Sequence, residues 1–201
     1  MAGIHRPVDI LRKPRGANIA DFRVQGDADG RLNLSVDLLH PCLQLLGVDA
    51  SDGNNASSYC VAAALFDDEQ GINGEVKRGE EVWTATMNVP TKPIRNEIFD
   101  GENLHVVEFS QIVCEGHPKL WCAEDPNLYT VVLALYNNKS TTPLQVESCR
   151  VGFRTVNIKD GVLTINGKAI TICGVNRHEH DPDHGKVVSI ASMKRDVEIL
   201  K

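Results

Sequence analysis

Leu32, Leu34, Val36 and Leu38 alternate with Arg31, Asn33, Ser35 and Asp37, so residues 31–38 are apolar on one side and polar on the other. A period of two is the mark of a half-buried strand. The same texture recurs along the chain. Residues 19–24 and 103–113 read as strands, as do 129–136 and 144–153. Residues 81–89 set Trp83, Ala85, Met87 and Val89 against threonines, whereas 59–66, "YCVAAALF", is apolar on both faces. Turn-forming clusters separate these stretches: "GDADG", "ASDGNNASS", "DDEQGING", "NVPTKP", "EGHPK" and "NNKSTTP". About seven strands with no helix between them predict an antiparallel β-sandwich of immunoglobulin-like architecture. The Cys…Trp…Cys spacing of true immunoglobulin domains is not evident, so the pattern supports the architecture alone.

After Phe153 the pattern tightens into a meander with Asp160-Gly161 and Asn166-Gly167 at its corners. Both dipeptides tolerate positive φ and are strong hairpin signals. The third arm, Ala169–Val175, is apolar on both faces, which predicts a strand inside a sheet covered on both sides, as in an α/β barrel. A polar loop follows. Ile190, Met193, Val197 and Leu200 then recur at helical spacing behind Ser189, a candidate N-cap. A single βα unit cannot cover its own apolar faces, so this end reads as a domain that has only begun. The fold class expected is mainly β: an immunoglobulin-like sandwich followed by the first strand and helix of an incomplete (β/α)8 barrel. At the other end, "IHRPVDIL" reads as a strand without an obvious partner.

Composition narrows the functional classes. The 201 residues carry a net charge of −6 with lysines and arginines scattered, so nucleic acid is not an expected partner. No apolar run approaches spanning length, and the N-terminus lacks the apolar core of a signal peptide; neither a membrane partner nor export is expected. Six cysteines lie far apart with no CxxC pair, which favours free thiols in a cytoplasmic protein over disulfides or zinc. The N-glycosylation triplets at Asn55 and Asn138 then read as chance matches.

The densest chemistry lies in "GVNRHEHDPDHG", residues 174–185. His178, His180 and His184 with Asp181 and Asp183 could be a metal site, but the spacing is not His-Glu-x-x-His and no fourth ligand can be named. "DPDHG" could also be a solvated turn. Position suggests a third reading. If Ala169–Val175 opens a barrel, Asn176 to His180 stand at its C-terminal end, where such barrels build active sites.

Three stretches carry a family likeness: "MAGIHRPVDILRKP", "PKLWCAEDPNLYTVVLAL" and "VGFRTVNIKDGVLTINGKAITICGVNRHEHDP". Through them the chain resembles glycoside hydrolase family 2, its β-galactosidase members most closely. The resemblance implies a division into 1–18, a remnant of an N-terminal sugar-binding domain; 19–155, the sandwich; and 156–201, the lead-in hairpin and first βα unit of the catalytic barrel. It implies retaining hydrolysis of β-galactosides by two glutamates on later barrel strands, with no residue here corresponding to either. Magnesium is implied as the cofactor of a full-length enzyme, with its ligands also downstream. The resemblance also leaves a homo-oligomer of the full-length chain open. It places His178 in the sugar pocket, as a hydrogen-bond partner of a substrate hydroxyl. Arg177 and Glu179 flank it and are expected to orient the loop or pair with each other. The alternative function is a non-catalytic β-sandwich module for carbohydrate binding or for an interface.

Overall fold

The structure, a computed structural model, describes residues 6–14, 16–41, 59–70, 76–90, 94, 102–114 and 118–200. It contains two compact units, Lys13–Ile170 and a second made of Met1–Arg12 with Thr171–Lys201. Cys42 and the Asn55 triplet lie outside the described residues.

Among the described residues, seven strands build the sandwich of the larger unit: β1 (Asn18–Gly26), β2 (Arg31–Pro41), β3 (Tyr59–Gln70), β4 (Val76–Asn88), β5 (Glu102–Ile112), β6 (Tyr129–Asn137) and β7 (Gln145–Val151). They form a three-stranded sheet of order β1-β2-β5 and a four-stranded sheet of order β4-β3-β6-β7, antiparallel throughout. The alternation read from the sequence sets the inner faces. Leu32, Leu34, Val36 and Leu38 from one sheet share a core with Val61, Ala63, Leu65, Val131, Leu133 and Leu135 from the other. Each fully buried Leu or Val contributes about 1.5–3 kcal/mol, so these residues fix the register as well as the stability. Trp83 of β4 and Phe109 of β5 close the gap between sheets, with ring centroids 4.9 Å apart. The apolar outer face of β3 is explained by its central place, flanked by β4 and β6. One charged group enters this region. Asp68 has a side chain 1% exposed, and it accepts from Thr130 Oγ1 at 2.7 Å and Arg150 Nε at 3.0 Å, the pairing a buried carboxylate requires.

The β3–β4 hairpin runs further than the sequence pattern suggests. Residues 67–70 and 76–80, read as turn and flank, continue the ladder, with Asp68 opposite Arg78 and Glu69 opposite Lys77 in register. This arm is polar, so it shows no apolar alternation to read.

Behind β7 the chain makes an aromatic corner. Phe153 is fully buried and meets Tyr129 edge-on at 5.0 Å. Two glycines make room: a Cβ on Gly26 would stand 2.9 Å from the Phe153 ring, and one on Gly152 would stand 2.7 Å from Trp121 Cβ. The "PKLWCAEDPNLY" stretch wraps this corner. Trp121 N donates to Phe153 O at 2.9 Å, and Lys119 N donates to the Tyr129 hydroxyl at 3.0 Å. Arg154 lies over the Trp121 ring at 4.4 Å. Beyond it, β8 (Val156–Lys159), β9 (Val162–Ile165) and β10 (Lys168–Ala169) form the predicted meander, with Asp160 and Asn166 at φ 51°. Asn166 ties it to the corner: its Oδ1 accepts from Thr155 N at 2.9 Å and its Nδ2 donates to Trp121 O at 3.1 Å.

Two expected strands differ. Among the described residues of "IHRPVDIL", 6–11, none is in a strand, and Ile10 is 98% exposed. The third arm of the meander has ladder partners only at Lys168 and Ala169; 171–180 has no ladder, with Ile172 79% and Val175 70% exposed. A strand exists only through a neighbour that satisfies its N–H and C=O groups. The third arm keeps one as far as Ile170, whose N–H donates to Leu163 O at 3.0 Å, and among the described residues no ladder runs along 6–11 or 171–180. The predicted helix is present as α1 (Ile190–Leu200). The five described cysteines are free thiols, and burial pushes Cys114 and Cys149 above the ordinary thiol range. No helix among the described residues is long and apolar enough to cross a membrane.

Candidate functional site

The histidine loop belongs to the smaller unit, where three local devices shape it. The first is a closed turn. Asp181 N donates to Gly185 O at 2.6 Å, and Gly185 N returns to Asp181 O at 2.9 Å. Asp181 Oδ1 accepts from the backbone N–H groups of His184 at 2.9 Å and Asp183 at 3.0 Å, and from His184 Nδ1 at 3.0 Å. These donors favour the ionised carboxylate, the His184 backbone most of all, and hold its pKa below the usual aspartate range. Gly185 closes the turn at φ 65°, a conformation glycine adopts without strain.

The second device is the helix start. Ser189 Oγ accepts from Ser192 N at 3.1 Å, as the N-cap pattern predicts. Nothing in α1 is fully buried: Ile190, Val197 and Leu200 are 67%, 62% and 59% exposed.

The third is a pair of ion-pair tethers on either side of His178. Arg177 Nε donates to Asp196 Oδ2 of α1 at 2.8 Å, and its Nη2 donates to the same oxygen. Glu179 pairs with Arg6, which comes from the segment before the sandwich. The two flanking residues therefore do not pair with each other; each has an opposite charge closer to hand. His178 itself is exposed. Sequence reading had no signal for Arg6 or Asp196. A contact between residues 173 positions apart leaves no periodicity, and Asp196 looks like any exposed helix carboxylate.

The donors of this loop do not fit a metal ion. Asp181 is engaged by its own turn and Glu179 by Arg6, and among the described residues no three His, Cys, Asp or Glu groups converge on one point. Among the described residues, His178, His180 and His184 belong to no such group.

Comparison with known proteins gives a consistent picture. The family model described as glycosyl hydrolases family 2 matches residues 17–154. The one described as glycosyl hydrolases family 2, TIM barrel domain, matches residues 156–201. A beta-galactosidase from Enterobacter cloacae is 34% identical over all of this chain, and the chain spans 17% of that relative's length. Among solved structures, a Bifidobacterium dentium beta-glucuronidase complexed with coumarin-3-O-glucuronide superposes at a TM-score of 0.60 and 18% identity, covering 92% of this chain and 26% of that one. A Lactobacillus rhamnosus beta-glucuronidase does so at 0.55 and 20%, covering 93% and 24%. At such identities the likeness is one of fold.

Proposed function

This chain belongs to glycosyl hydrolases family 2, and on that basis we propose that it is a segment of a retaining glycoside hydrolase acting on β-galactosides. The preference for galactosides is supported by the beta-galactosidase likeness along the whole chain; the glucuronidase structures share the fold at lower identity. The observation that carries the reading is the polar cluster just past the meander, where His178 stands exposed between two tethered neighbours.

Retaining hydrolysis needs one carboxylic acid to protonate the leaving oxygen. A second carboxylate attacks the anomeric carbon, and water then cleaves the glycosyl-enzyme. No pair of carboxylates in this loop is left for those roles, because Glu179 and Asp181 are both engaged. The contribution assigned to this chain is binding. His178 takes a sugar hydroxyl, and that hydrogen bond strengthens as the ring flattens toward an oxocarbenium-like transition state.

The test has two arms. Purified 201-residue chain gives no turnover of a chromogenic β-galactoside. In a full-length polypeptide carrying this segment, His178→Asn lowers kcat/KM by ~10²-fold, the order expected for one lost transition-state hydrogen bond. Clear turnover by the isolated chain, or an unchanged kcat/KM in the variant, overturns the reading. The alternative, a non-catalytic sandwich module, is favoured by the closed core of Lys13–Ile170. It predicts sugar binding or partner binding that survives deletion of residues 171–201.

A further inference from the structure

We propose, resting on the reading of His178 as a sugar contact, that Arg6 is a positioning residue for the His178 loop. Its guanidinium bonds Glu179 and lies 3.9 Å from Met193 Sδ, so one side chain ties the leading segment to both the loop and α1. On the other side of His178, Arg177 is bonded to Asp196 of α1. All six residues lie in the same compact unit.

The argument rests on what else holds this backbone. Residues 171–180 have no strand ladder, so ladder pairing does not set their path. With Arg177 and Glu179 both tethered, the peptide units bracketing His178 are restrained at each end, and the ring is left mainly its own two side-chain torsions. Arg6 and Glu179 are 43% and 46% exposed, and ion pairs so exposed add little to stability. Their effect is on orientation. Small misplacements of a binding group are costly, ~10²-fold in rate for about 1 Å. An arginine suits the task because its planar fork offers several donors in fixed geometry, which a lysine does not.

The experiment compares Arg6→Gln, Glu179→Gln, the double variant and the charge exchange Arg6→Glu/Glu179→Arg. In the full-length hydrolase each single change lowers kcat/KM for a chromogenic β-galactoside by ~10–100-fold, and the double is no worse than either. The charge exchange restores most of the loss, and the thermal midpoint stays unchanged in all four. In the 201-residue chain, the NMR signals of the His178 ring shift in both single variants and return in the exchange. Additive losses overturn the positioning role, as does a failed charge exchange. Unshifted His178 ring signals in Arg6→Gln overturn it whatever the activity of His178→Asn. An unchanged kcat/KM in His178→Asn instead overturns the sugar contact on which the proposal rests.

Discussion

Gly152 has no side chain because Trp121 occupies the space one would need. A Cβ there would stand 2.7 Å from Trp121 Cβ and 2.8 Å from Cγ, atoms close to the backbone that cannot swing aside. Trp121 is fixed in turn by its bond to Phe153 O and by Arg154 over its ring. Gly152→Ala therefore forces the corner apart and destabilises by ~1–3 kcal/mol, the usual cost of overpacking. Urea denaturation checks this, with a lower midpoint at unchanged slope. The same crowding explains why glycine stands directly after β7, since only a residue without a side chain admits Trp121 there. The motif that carried the family likeness is thus a packing solution as much as a signature.

At the scale of elements, the turn from Asp181 to Gly185 depends on the charge state of one carboxylate. The Asp181 pKa is depressed by donors present only in the folded turn, His184 N–H foremost. Its stabilisation is therefore fully present above the ordinary aspartate value of about 3.9 and is lost as pH falls through the lower folded value. The carboxylate's bonds to the His184 and Asp183 N–H groups are expected to hold at neutral and mildly acidic pH and to weaken only in stronger acid, while the backbone bonds between Asp181 and Gly185 do not titrate. A pH titration followed through the amide signals of Asp183 and His184 reports this, and weakening already near pH 5 contradicts it. Asn166 works differently. It uses neutral amide bonds to hold the meander to the aromatic corner, so that junction carries no such acid dependence.

At the scale of the whole molecule, the two units differ in what supports them. Lys13–Ile170 encloses a core of fully buried leucines and valines between two sheets. In the smaller unit the described core residue is Val188, while Ile172, Val175, Ile190, Val197 and Leu200 are all largely exposed. An 11-residue helix with no buried face is marginal in water. Amide exchange in the 201-residue chain is expected to show strong protection across β2, β3 and β6 and weak protection across 170–200. Excised residues 13–170 should keep the cooperative unfolding of the sandwich. Strong protection through α1 in a monomer would be evidence against this division.

The sequence by itself determined the elements of the sandwich, because a strand buried on one face must alternate and its ends must carry turn residues. Most of the seven strands and the two Asx-Gly corners were legible for that reason, and the Ser189 cap because helical spacing follows it. It did not determine the reach of the polar β3–β4 arm, whose pairing has no hydrophobic pattern. Along 6–11 and 171–175 the apolar residues promise strands, but among the described residues no ladder forms there. The tertiary structure alone decided the surroundings of the candidate site. Arg6 meets Glu179 and Arg177 meets Asp196 because the backbone brings distant charges together, and charge pairing across 173 residues leaves no trace in local periodicity.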